Sequence, residues 1–458
     1  MRAGKLGGIF CTHIFSLLKK GGEIMYATVT NYVRNLTDGQ YGTLMEMFHW
    51  SKSLYNVGLY NARQEFFASG GLLSYEDNYA ISYSNENYKM LAAQGSQQVL
   101  KSVTEAMSSF LELKRKAAAG MYDPKAVRLP RYLPKEGLYH LAFPAQGISI
   151  KGGMLKIPIS MWLQGQVKKD ARKAKDTDIW IPYPPNLVGK KLKEVQFYPV
   201  GDGKAIKVAY VYKEVPEPKA TNKDNILGID LGVDNFATCV STVGTSFILD
   251  GRDMKSINQW YNKELARLRS LQSKAEIKVS TKRQFSITQN RNNRIYDIIY
   301  KSAKYVINHC IEHGIGTVVI GRNKNQKKGA SLGKQNNQNF VSLPYGKFYQ
   351  QLEYLCDKHG INYVEQEESY TSKSSFLDLD PLPVYGDTTT EIEFSGKRTK
   401  RGLYITKDGV EVNADINGAA NIIRKSSQGF ESGDRFNELS RGVMRPPRRV
   451  KVVSRNNS

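Results

Sequence analysis

Three acidic positions set far apart in this chain have the residue types and settings to act together. Asp230 stands inside a short apolar run between glycines, ILGIDLGVDN at residues 226–235, the pattern by which a strand presents an acid at its end. Asp415 opens a run of small residues in VNADINGAAN, 412–421, which reads as a helix start. Between them VEQEESYTSK, 364–373, offers Glu367 and Glu368. Carboxylates gathered from separate segments are what two-metal hydrolysis of a phosphodiester requires, one ion activating water and the other stabilising the leaving oxygen. Taken singly, each acid has an ordinary explanation: Asp230 caps a turn at Gly232, Asp415 complements a helix dipole, and a glutamate pair is usually solvated. Their joint order within a basic chain favours a metal site.

The elements that must position these acids are bounded first by composition. A chain of 458 residues with 40% hydrophobic content can build real cores, and its length suggests about three domains. A net charge of +23 calls for a polyanionic partner, because neutralising phosphates releases counterions. Twenty-seven tyrosines add stacking surfaces for unpaired bases. Cys11, Cys239, Cys310 and Cys356 fit neither a disulfide framework nor a zinc knuckle, which implies a reducing compartment. IFCTHIFSLL near the N-terminus is too short to span a bilayer, so no membrane partner is expected. His309 and His313, one helical turn apart, read as helix-end residues rather than a metal pair.

Lys20-Gly21-Gly22-Glu23 can be encoded as a strong ribosome-binding sequence just before Met25. Translation is therefore expected to start at Met25, with residues 1–24 an upstream extension outside the fold. YATVTNYVRN then alternates like a strand, and helical stripes follow through Tyr41–Leu59 and Leu100–Leu111. From about 125 to 215, prolines, glycines and short alternating runs read as an antiparallel sheet or small barrel. VPEPKATNKDN is a linker. Beyond it ILGID, FATCVS and SFILDG make three strands at hairpin distance, followed by helices at 254–274 and 291–313. The strand GTVVIG, a basic loop NKNQKKG, a helix near 345–358 and the strand INYVEQ complete the region. This is the order of an RNase H-like sheet. The end of the chain, RGVMRPPRRVKVVSRNNS, reads as a poorly ordered basic tail.

GIDLGVDNFATC, the helix RNNRIYDIIYKSAKYVI, the YTSK element and VNADINGAANI together resemble TnpB, the RNA-guided nuclease of bacterial insertion sequences, related to Fanzor proteins and type V CRISPR effectors. The resemblance runs from Met25 to about Lys425. It implies an α/β RNase H-like (RuvC) nuclease domain plus an antiparallel β-barrel wedge domain carrying a helical recognition insertion. The wedge would comprise 25–35 and 125–215 and the recognition helices 36–124. The nuclease domain would be 216–426, with a basic insertion at about 371–413, and 427–458 the tail.

By the same resemblance Asp230, Glu368 and Asp415 would be the catalytic, metal-holding acids for two Mg²⁺ ions, Glu367 being the alternative to Glu368. Many relatives end the GTVVIG strand with the middle glutamate. This chain has Gly321 and Arg322 there, and resembles the subset in which that acid precedes the threonine-serine element. Strand alternation puts Val364, Gln366 and Glu368 on one face, and Val364 suggests that this face points inward. A Cys- or Cys/His-ligated zinc is not expected, because no cysteine follows Cys356 and no histidine follows His359. FSGKRTKRGLYITKDGVEVN instead reads as a basic hairpin with Asp408-Gly409 at its turn.

The implied activity is metal-dependent cleavage of double-stranded DNA matched by a guide RNA beside a short flanking motif, in the bacterial cytoplasm at the nucleoid. The rival readings are a nuclease-inactive RNA-guided repressor, which would be expected to lose a carboxylate, and an actin-like ATPase, which would need a second glycine-rich phosphate loop.

Overall fold

The computed structural model describes residues 25–168, 174–277, 279–322, 343–384, 393–400, 402–427 and 432–452. The expected extension 1–24 and the NKNQKKG loop lie outside the described residues. The chain divides into two compact units that meet in sequence between Glu214 and Val215. No helix among the described residues is long and apolar enough to cross a membrane.

The first unit opens with β1 (Met25–Tyr32) and continues into helices α1 (Asp38–Ser69), α2 (Tyr75–Ser82), α3 (Glu86–Met90) and α4 (Ala93–Ala118). Thr37 starts α1 through a reciprocal cap with Gln40, each side chain accepting from the other's backbone N–H. Leu44, Phe48, Leu54 and Leu59 of α1 and Val99, Leu100, Val103 and Met107 of α4 are buried, and the two helices pack together. After them come β2 (Leu141–Pro144), β3 (Ser149–Lys151), β4 (Met154–Lys156), α5 (Met161–Lys168), β5 (Trp180–Pro182), β6 (Leu192–Val200) and β7 (Ala205–Glu214).

These strands do not close the expected barrel. They form two separate sheets, one of four strands in the order β1-β7-β6-β2 and one of three in the order β3-β4-β5. The reason is local: β2 and β5 end at Pro144 and Pro182, and a proline has no N–H with which to carry a ladder onward.

The second unit is built on a six-stranded sheet. β8 (Asn222–Leu231), β9 (Asn235–Ser241) and β10 (Ser246–Asp250) form an antiparallel meander. Then α6 (Arg252–Lys274) and α7 (Lys282–Glu312) lead to β11 (Ile315–Gly321), and α8 (Tyr345–His359) leads to β12 (Asn362–Gln366). β11 lies parallel to both β8 and β12. A small antiparallel sheet of β13 (Lys397–Lys400), β14 (Leu403–Ile405) and β15 (Glu411–Asn413) follows, with Asp408 and Gly409 in its second turn and Gly409 at φ +79°. It runs directly into α9 (Ala414–Ser426).

Helices cover both faces of the large sheet. Ile295, Ile299, Val306 and Cys310 of α7 and Phe348 and Leu352 of α8 share a core with Leu227 and Ile229. Ile416, Ala419 and Ile423 of α9 make a second core with Val240, Leu439 and Val443.

The expected disordered tail is a correction. Residues 434–450 contain α10 (Asp434–Met444) and β16 (Arg448–Val450), the latter paired parallel to β10. Leu439 and Val443 recur on one face of α10 and are buried, Pro446 and Pro447 follow its end, and the open edge of β10 gains a partner. Basic composition conceals this pairing because the apolar positions are few.

Candidate active site

β8 places its first acid by alternation. Leu227 and Ile229 face the α7–α8 core, so Gly228 and Asp230 face α9. A Cβ on Gly228 would stand 2.5 Å from the Ala419 carbonyl oxygen, so α9 lies closer to β8 than any larger residue permits. At the residue before Ala419, a Cβ on Gly418 would meet Asp230 Oδ2 at 3.1 Å. Asp415, three residues before Gly418, shares that helix face and is thereby brought beside Asp230. The NGAA run in the sequence is thus the surface on which helix and strand bring two carboxylates together.

Asn413 caps α9, its side chain accepting from the N–H groups of Asp415 and Ile416 at 3.0 and 3.1 Å. Asp415 Oδ2 accepts from Asn235 Nδ2 at 2.6 Å, and Oδ1 from Arg398 Nη2 at 3.3 Å. Arg398 stands on β13, in the segment read from sequence as a basic hairpin. Asp230 and Asp415 line a cleft of about 550 Å³ with Asp234, Asn235, Arg398 and Arg449. The cleft opens beyond the carboxyl end of β8, where ligands of such sheets commonly bind.

Glu368 approaches from the other side and is not among the walls of that cleft. A Cβ on Gly321, at the end of β11, would stand 2.7 Å from Glu368 Oε2. The carboxyl of Glu368 therefore occupies the space that a side chain at 321 would take. Strand alternation, expected to select Glu368, does not do so: Val364 is 38% exposed, and β12 is an edge strand that stops at Gln366. Glu368 turns inward after the strand has ended, in a turn closed by the Thr371 hydroxyl on its carbonyl at 2.9 Å. The loop is then pinned by α9: Asn417 bonds Phe376 N and Ser374 O, and Asn421 bonds Thr371 O.

The neighbouring acid has a different task. Glu367 pairs with Lys425, whose ammonium is nearly buried and also donates to the carbonyls of Ser369 and Pro383 at 3.0 Å. Burial alone would raise the Glu367 carboxyl, but Lys425 and Ser369 outweigh it and hold it below its usual range. Glu368 is pushed up to about 7, first by burial and then by Glu367. Asp230 lies well above the carboxylate range, through burial and then through the charges of Glu368 and Asp415, which Arg398 only partly offsets. Tyr345 and Tyr349 of α8 fix the strand ends around these acids by donating to the carbonyls of Gly232 and Gly321 at 2.9 and 3.0 Å.

Among the described residues no group of three or more His, Cys, Asp or Glu side chains is arranged to hold a metal ion. The donor chemistry nevertheless fits a hard divalent cation: the site offers oxygen donors, and Asp230 faces like charges that Arg398 does not cancel. His309 and His313 stack at 4.1 Å at the end of α7, with His309 against the Thr245 hydroxyl, away from the acids. Sequence reasoning missed Asn235, Arg398, Asn417, Asn421 and Arg449. Asn417 and Asn421 carry a legible signal, two amides four apart in an otherwise apolar helix face. Arg398 and Arg449 are lost among 66 basic residues.

Residues 209–327 match the OrfB_IS605 family model, described as a probable transposase, and residues 345–422 match the Cas12f1-like TNB domain. The TnpB-like protein ORF457 of Acidianus two-tailed virus is 25% identical over 435 residues, spanning 87% of this chain and 86% of the viral one. The solved Cas12f1-sgRNA-target DNA complex aligns with a TM-score of 0.50 at 15% identity, over 84% of this chain and 82% of that chain. A second structure, the mini-RNA-guided endonuclease CRISPR-Cas_phi3, has a TM-score of 0.45 at 11% identity, over 88% and 92% of the two chains. The Cas12f1 likeness shows a shared fold. With two family matches in chain order and a relative aligned along most of the sequence, the resemblance to the TnpB family is borne out.

Proposed function

We propose that this protein is an RNA-guided DNA endonuclease that hydrolyses phosphodiester bonds of DNA matched by a guide RNA beside a short flanking motif. The observation that carries the reading is the buried Asp230 carboxyl with Glu368 and Asp415 brought against it from distant segments, a burial and charge on Asp230 that a bound cation would relieve. Asp230, Glu368 and Asp415 would hold two Mg²⁺ ions, which when bound activate the attacking water and stabilise the leaving oxygen.

The chain's own residues do the rest. Asn235 orients Asp415, Gly321 and Gly418 leave room for the carboxyls of Glu368 and Asp230, and Arg398 brings a positive charge to the cleft where a phosphodiester would lie. The net charge of +23 supports a guide RNA and double-stranded DNA as partners. The solved Cas12f1 relative is itself a complex with two partners of these kinds, an sgRNA and target DNA. Helices α1–α4 would serve as the recognition part and the sheets around them as the wedge. A DNA substrate places the action at the nucleoid.

The test begins with sequencing of RNA that co-purifies with the tagged protein from a host carrying its native flanking DNA. One abundant structured RNA, ending in element-flanking sequence, is expected. That ribonucleoprotein should cut matching DNA only with Mg²⁺, and Asp230→Ala should abolish cutting while DNA binding persists. Cleavage that survives in purified Asp230→Ala overturns the assignment.

A further inference from the structure

Asp415 is held from outside its own helix by a chain of donors that ends near the C-terminus of the protein. Asn235 Nδ2 donates to Asp415 Oδ2 at 2.6 Å, and Asn235 Oδ1 accepts from Arg449 Nη2 at 2.7 Å. Arg449 sits on β16 in register with Ile248 of β10, and its Nη1 lies 3.6 Å from Asp250 Oδ2. Asp250 is in turn gripped by Arg252. Arg449 also lines the cleft that contains Asp230 and Asp415.

The chemistry of this chain of contacts is directional. A guanidinium has donors only, an ionised carboxylate has acceptors only, and an amide has one end of each kind. Asn235 between Arg449 and Asp415 therefore has one satisfied orientation, with its NH2 on the carboxylate and its oxygen on the arginine. Without Arg449 the oxygen end is unheld, and the amide can swing away from Asp415. Partners that hold a metal-binding side chain in place typically matter about 10-fold or more to metal affinity or rate.

We propose that the C-terminal strand β16 is a working part of the nuclease site, and that Arg449 is a positioning residue that locks Asn235 onto Asp415. This role rests on the nuclease reading of the three acids. β16 then has two tasks, covering the sheet edge and bracing an acid of α9 through Asn235, two strands away on β9.

The experiment compares the native ribonucleoprotein with Arg449→Ala, Asn235→Ala, the double variant, Arg449→Lys and Asp230→Ala. Two readouts are taken: the Mg²⁺ dependence of the cleavage rate, and Mn²⁺ affinity of the full-length protein by titration calorimetry. Arg449→Ala and Asn235→Ala are each expected to lower the rate and weaken Mn²⁺ binding roughly 10-fold. The double variant should be no worse than Asn235→Ala, because the two residues act in series. Arg449→Lys, a donor without the fork, should recover part of both losses.

Native rate and native Mn²⁺ affinity in Arg449→Ala overturn the inference, as do losses that multiply in the double variant. If Arg449→Ala fails to fold, Arg449→Lys and Arg449→Gln carry the same comparison. Native cleavage by Asp230→Ala would instead defeat the nuclease reading itself, so the two failures are distinguishable.

Discussion

Replacing Glu368 by Gln should make the metal-free protein more stable at neutral pH while destroying its activity. The Glu368 carboxyl is pushed from 4.5 up to about 7 by burial and by Glu367. An acid whose folded value is raised holds its proton more readily in the fold. Its contribution is therefore fully present below about pH 4.5, and is lost as pH rises toward 7. At 1.36 kcal/mol per pH unit, that interval sets a ceiling of about 3 kcal/mol. Because Glu368 is only partly buried, a stabilisation of about 1–2 kcal/mol is expected from Gln at pH 8. In a unit of this size each kcal/mol raises the melting temperature by about 2–4 °C. The assay is thermal unfolding of both proteins in chelator from pH 4 to pH 8. The difference should be near zero at pH 4 and reach its plateau above pH 7. Added Mg²⁺ should then raise the native melting temperature and leave the variant's unchanged, since a cation bound only to the fold stabilises it. A variant less stable than native at pH 8, or a difference independent of pH, would refute the idea that Glu368 is held against its own charge.

Glu367→Gln is expected to keep cleavage within about 3-fold of native while Glu368→Gln loses at least about 10³-fold, since Glu367 is committed to Lys425. Comparable losses in both, measured as single-turnover rates, would make the pair share the role. Gly418→Ala should gain up to about 1 kcal/mol from helix propensity yet lose cleavage about 10-fold or more, because the added methyl meets the Asp230 carboxylate at 3.1 Å. Melting and cleavage measured on one preparation check this, and full activity would contradict it. Lys425→Met should destabilise the protein by about 2 kcal/mol by leaving Glu367 and two carbonyls without their donor, and hydrogen exchange should locate the loosening at 367–383.

The sheet and two of its acids were legible because each is written in short-range patterns. Apolar runs with glycine punctuation marked β8 to β12, and ILGID and NADINGAAN already contain the glycines that let α9 lie against β8. What failed depended on partners distant in sequence. The first unit's strands look barrel-like one by one, but prolines at their ends decide which ladders continue, and a terminal strand such as β16 reveals itself only when an open edge awaits it. Glu368 is the instructive case, since alternation is not what turns it inward. Val364 faces outward, and alternation ends before the acid is reached. The physical sign lay 47 residues upstream: Gly321 stands where a side chain would collide with the Glu368 carboxyl, so the gap left at the end of β11 is filled from the turn that follows β12. If that complementarity is the true cause, Gly321→Ala should displace Glu368 and abolish cleavage. Gly321→Glu combined with Glu368→Gly should then restore a measurable part of it, by returning the acid to the same space from the end of β11.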